Sequence, residues 1–99
     1  LTPAATFPAG PTPRAIAVNA AQTFAYVING GNNTLSTFAV DAVGNLTPAG
    51  TLVATGPDPE SLALDPGGAV LYVVNAGDNT VSYYSLNPTT GQPTLTNVQ

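Results

Sequence analysis

Apolar and polar positions alternate in short runs along this chain, and Gly, Pro, Asn or Asp ends each run. Period-two alternation rich in β-branched and aromatic residues marks half-buried strands. It predicts strands at about 15–19, 24–28, 34–41 and 49–55, and again at 61–65, 70–74 and 80–87. Asp65-Pro66-Gly67-Gly68 reads as a tight turn between two of them. The loops opening at Asn29 and Asn75 hold Gly and Asn, which tolerate the positive φ of a hairpin. No stretch keeps a helical period, because Pro or Gly interrupts each window long enough to hold one. The fold class is therefore all-β.

The strand pattern is written twice. Tyr26-Val27-Ile28-Asn29 returns as Tyr72-Val73-Val74-Asn75, an offset of 46. Gly10-Pro11-Thr12-Pro13 returns as Gly56-Pro57-Asp58-Pro59, and Thr34-Leu35-Ser36 as Thr80-Val81-Ser82, at the same offset. A fixed period of this size signals a repeat architecture, and four short antiparallel strands per unit make a β-propeller blade. In the first strand of each unit, large Ile16 and Val18 (then Leu62 and Leu64) face one way, and small Ala15 and Ala17 (then Ser61 and Ala63) face the other. Alternating large and small faces let one blade nest on the next. Blade one spans 10–55 and blade two 56–99.

These tetrads resemble the signature of the YVTN-repeat β-propellers. Together with Gly-Pro-x-Pro ahead of an apolar strand and Asn-Thr-(Leu/Val)-Ser after it, they also resemble the phosphogluconolactonase-like lactonase propellers. The resemblance implies a propeller fold along nearly the whole chain. It implies lactone hydrolysis only for a protein with more blades, because folds of this kind host unrelated activities.

Two blades leave a propeller incomplete as a ring, since closed rings take about four to eight. Residues 1–9 read as a spare outer strand, because Leu1-Thr2-Pro3-Ala4-Ala5-Thr6-Phe7 matches Leu46-Thr47-Pro48-Ala49-Gly50-Thr51-Leu52. The outer strand of blade two, at 94–99, is expected to stop short and leave an edge along Val81, Tyr83 and Ser85. Unpaired edges accept added strands. Hence Ala4, Ala5, Thr6 and Phe7 of one copy are expected to fill that edge in the next, joining copies head-to-tail into a ring or filament. The alternatives are a fragment of a lactonase-like enzyme and a fragment of a ligand-binding surface propeller.

Composition narrows the chemistry. Of 99 residues only Arg14 is cationic, against five acids, and there is no Lys, His or Cys. One cation cannot neutralise a row of phosphates, so nucleic acid is not a partner. No apolar run reaches the roughly 18 residues of a membrane span. Without Cys there are no disulfides or thiolate sites. The usual catalytic bases and nucleophiles are missing, so no catalytic residue, metal or cofactor is assigned, and the chain alone is not expected to be an enzyme. Abundant Ala, Thr, Gly and Asn with no Lys suggest an extracellular, cell-surface or periplasmic protein. The sequons at Asn32 and Asn45 are expected chance matches in so Asn- and Thr-rich a chain. Arg14 and Glu60 hold the same position in successive blades and are expected to pair beside the channel. Asn29, Asp58, Asn75 and Asp78 are placed on loops of one rim, the two Asn as turn residues.

Overall fold

The computed structural model describes residues 12–19, 21–49 and 52–99. The described residues form nine strands and no helix. The first sheet holds β1 (Pro13–Val18), β2 (Phe24–Asn29), β3 (Thr34–Val40), β4 (Leu46–Pro48) and β5 (Val53–Ala54). The second holds β6 (Pro59–Leu64), β7 (Val70–Asn75), β8 (Thr80–Leu86) and β9 (Pro93–Val98). Each is an antiparallel meander in chain order, with β4 and β5 both paired to β3. The fourth strand of blade one is thus two short pieces rather than one strand at 49–55. Pro48, which lacks an N–H, is the last residue of the first piece.

Short turns set the strand directions. Asn19 Oδ1 accepts the amides of Thr23 and Phe24, and Asp65 Oδ1, one repeat later, accepts those of Ala69 and Val70. Asp41 Oδ1 accepts from Val43 and Asn45, and Asn87 Oδ1 from Thr89 and Thr90. The Asn45 amide leads the contacts that hold the Asp41 carboxyl below its ordinary value. Asn33 and Asn79 both take a φ of 57°, the left-handed conformation a tight hairpin needs.

One core joins the two sheets. Tyr26, Ile28 and Leu35 from the first meet Leu71, Val73, Tyr84 and Leu86 from the second, with Leu62 and Leu64 packed against them. Each of these apolar side chains contributes about 1.5–3 kcal/mol when fully buried. The inner strands β1 and β6 lie side by side. Two phenols bolt the faces together: Tyr26 donates to the Gly91 carbonyl at 3.0 Å, and Tyr84 donates to the Ala54 carbonyl at 2.7 Å. Gly91 has a φ of 76°, and a Cβ there would strike the Phe24 ring, so glycine is required.

Burial raises the pKa of Tyr26 and Tyr84 above the ordinary 10.0. A group with a raised folded-state pKa stabilises fully below its unfolded value, and that stability is lost as pH rises through the folded value. Alkaline unfolding is therefore expected to begin above pH 10 and to be blunted in a Tyr26→Phe, Tyr84→Phe double variant. Circular dichroism alongside tyrosinate absorbance checks it; identical midpoints would refute the assignment.

The outer edge of blade two requires a correction. β9 pairs with β8 along its length, with Ser85 opposite Thr94, Tyr83 opposite Asn97 and Ser82 opposite Val98. Val81 and Gln99 exchange both backbone hydrogen bonds at 2.9 Å. The edge along Val81, Tyr83 and Ser85, expected to be open, is filled by the chain's own last strand. A ladder group already bonded is no template for an incoming strand. The proposed assembly strand, Ala4, Ala5, Thr6 and Phe7, lies outside the described residues.

Candidate functional site at the mouth of the inner strands

The repeat brings three charged side chains to one end of β1 and β6. Pairing of β1 with β2 steps from Pro13–Asn29 to Ala15–Ile28, so Arg14 is the extra residue of a β-bulge. Pairing of β6 with β7 steps from Pro59–Asn75 to Ser61–Val74, so Glu60 is the extra residue of the equivalent bulge. A bulge unpairs one residue and re-aims its side chain. Here both are re-aimed towards the junction of the inner strands. Arg14 Nη1 donates to Glu60 Oε1 at 3.1 Å, to Asp58 Oδ1 in a shorter contact, and to the Pro59 carbonyl at 3.4 Å. The side chains of Arg14, Asp58 and Glu60 remain 32, 46 and 52% exposed, so the cluster opens to solvent. Its formal charge is −1.

The loop that carries Asp58 has a fixed shape. Asp58 has a φ of 52°, as does Thr12 one repeat earlier. Asp tolerates this region, whereas a β-branched residue rarely enters it, so the loop rather than the residue imposes the geometry. The Asp58 amide donates to Asn33 Oδ1 at 3.1 Å, and the Asp58 carbonyl accepts from Ala76. Gly30 completes the arrangement. A Cβ on Gly30 would fall on the Arg14 guanidinium, so the arginine crosses blade one where a side chain is missing.

The remaining rim residues divide. Asp78 is exposed in its hairpin and accepts from the Thr80 hydroxyl. Asn29 and Asn75 require a correction, because both are fully buried at the ends of β2 and β7 rather than on rim loops. Asn29 Nδ2 donates to Thr34 and Ser36, and Asn75 Nδ2 to Thr80 and Ser82. Asn75 Oδ1 also accepts the Gly56 amide at 3.0 Å. Both clamp adjacent strands, and Asn75 also holds the loop leading into its own blade. The bulges, and the roles of Gly30 and Asn33 beside the cluster, were not found from sequence. Gly30 left one trace: Arg14 with Gly30 in blade one becomes Glu60 with Ala76 in blade two.

Two concavities are present, and Arg14 itself lines the second. One of about 210 Å³ sits at the opposite rim, between Asn19, Thr23 and Phe24 of blade one and Gly67, Gly68 and Asn87 of blade two. Another of about 350 Å³ is an apolar groove beside Arg14, along Ile16, Val27, Phe38 and Leu46. In a ring that face belongs to a joint between blades.

Two stacked meanders with their first strands innermost define a β-propeller segment. A family model described as lactonase, 7-bladed beta-propeller, matches residues 1–99, and the chain belongs to this family. No curated protein matches the chain. Among solved structures, a protein from Lactobacillus plantarum is 35% identical over 98% of this chain and 28% of its own, with a TM-score of 0.81. The periplasmic gluconolactonase of Pseudomonas aeruginosa is 30% identical over 99% of this chain and 28% of its own, also with a TM-score of 0.81. The hydrazine synthase of Kuenenia stuttgartiensis is 28% identical over 85% of this chain and 22% of its own, at a TM-score of 0.63. The chain thus spans about a quarter of the length of these structures.

Proposed function

We propose that this chain acts as two blades of a periplasmic propeller that hydrolyses sugar lactones, with Arg14, Asp58 and Glu60 at the mouth of its channel. The observation that carries the reading is the cation and two carboxylates gathered by matched bulges on the inner strands. The family match over the whole chain and the Pseudomonas aeruginosa gluconolactonase support it. A guanidinium can donate to a lactone carbonyl oxygen as negative charge grows on it. A carboxylate at hydrogen-bond distance can take a proton from the attacking water. Within the described residues, Arg14 uses only Nη1, which leaves Nη2 and Nε for a ligand.

Self-assembly from copies has less support. The accepting edge is filled by β9, and the family ring has an odd number of blades while copies add them in pairs. The test is a chimera in which residues 1–99 replace the matching segment of the Pseudomonas aeruginosa enzyme. Hydrolysis of glucono-1,5-lactone is expected to persist, and Arg14→Ala is expected to lower kcat/KM about 100-fold, the scale of one lost oxyanion donor. A folded chimera no faster than buffer would overturn the reading. Full activity in Arg14→Ala would remove Arg14 from the site.

A further inference from the structure

Resting on that reading, we infer that Asp58 and Glu60 set the charge class of the ligand at Arg14: the site takes an uncharged sugar lactone and turns away a phosphorylated one. Phosphate sites are built from free guanidinium or ammonium groups and from backbone amides pointing into a concavity. Here the one guanidinium is outnumbered by carboxylates. Arg14 is the one cation of the chain, and two carboxylates already hold it. Four amides around the mouth are committed. Gly30 N donates to the Thr12 carbonyl at 2.8 Å, Ala76 N to the Asp58 carbonyl at 2.9 Å, and Gly77 N to the Pro57 carbonyl at 3.0 Å. Asp58 N donates to Asn33 Oδ1. None of these four is free for an anion.

The half-exposed carboxylates offer acceptors instead, and sugar hydroxyls are donors that match them. A phosphate dianion approaching a cluster of net charge −1 meets repulsion, whereas a neutral lactone does not. Across about 5 Å of water this disfavours the dianion about tenfold. The chain's formal charge of −4 adds to it in sign.

Two measurements test this independently of each other. In the first, the Arg14 Nε–H resonance of the 99-residue chain is followed while inorganic phosphate is added. No saturable shift is expected in the parent. An Asp58→Asn, Glu60→Gln double variant is expected to bind phosphate at least tenfold more tightly, by the same Coulomb estimate. Asn tolerates the positive φ of position 58, so the loop is kept. In the second, the chimera is assayed on glucono-1,5-lactone and on its 6-phosphate. The parent is expected to favour the neutral lactone about tenfold in kcat/KM, and a preference for the 6-phosphate would overturn the inference. Phosphate binding by the parent, or none by the double variant, would overturn the inference. A chimera that hydrolyses neither lactone would overturn the proposed function, while the phosphate titration still decides the charge rule.

Discussion

Ile28→Asp is expected to unfold the blade pair, and Val74→Asp, the same change one repeat later, is expected to leave it folded. The two residues hold equivalent places in β2 and β7. Ile28 is 0% exposed in the joint with Leu71, Val73 and Tyr84, whereas Val74 is 41% exposed on the outer face of blade two. An unpaired carboxylate at Ile28 would be cut off from water by the second sheet. Substitutions that bury an unpaired charge reach the 4–5 kcal/mol tail of mutational effects, close to the whole stability of a small domain. At Val74 the carboxylate stays wet, and the cost is expected to be within about 0.5 kcal/mol. In the chimera, where a following blade covers that face, Val74→Asp is expected to become as damaging as Ile28→Asp. Urea unfolding followed by circular dichroism reads both. Equal losses in the isolated chain would mean that something already covers the second face. Tyr72 and Tyr83 mark the same surface, stacked edge to face at 5.2 Å.

The contrast between those two positions shows what a repeat discloses and what it hides. An offset of 46 aligns Ile28 with Val74 and gives both the same strand and the same face, so the strand plan and the propeller class could be read directly. Which face another blade covers depends on the neighbour, and alignment carries no neighbour. The site was half legible for a similar reason. Arg14 and Glu60 stood out as opposite charges at matched positions, and Asp58 as an acid between two prolines. Their meeting rests on a one-residue slip in the pairing of β1 with β2 and of β6 with β7, and register is not written in residue types. Asn29 and Asn75 misled because Asn beside Gly or Ala-Gly is ordinary hairpin chemistry. Their side chains turn inward, where hydroxyls on the next strand accept from them. The Val81–Ser85 edge misled because a strand that ends at Val98 already reaches Ser82 of its neighbour.

Asn75 links the scaffold to the site, and Asn75→Ala is expected to cost about 3 kcal/mol. The side chain is fully buried and makes three hydrogen bonds: to Thr80 at 3.2 Å, to Ser82 at 2.8 Å and from the Gly56 amide at 3.0 Å. Alanine leaves the buried Ser82 hydroxyl and the half-buried Gly56 N–H without these partners; an orphaned buried group costs about 1–3 kcal/mol, and the half-buried amide lies at the low end. Gly56 is fitted to the same clamp, because a Cβ there would lie 2.6 Å from Asn75 Cγ. Asn29→Ala removes the two equivalent bonds to Thr34 and Ser36, and Asn29 Oδ1 has no partner among the described residues. Urea midpoints of Asn75→Ala against the parent read the loss, and an unchanged midpoint would show that the clamp carries no weight. The consequence for function lies two residues on. Gly56 anchors the loop that holds Asp58 in its left-handed conformation against Arg14. In Asn75→Ala the Gly56 amide is expected to exchange with solvent faster, and the Arg14 Nε–H resonance to move as Asp58 leaves it. A stability loss without that shift would confine Asn75 to the scaffold, with no part in placing the charged cluster.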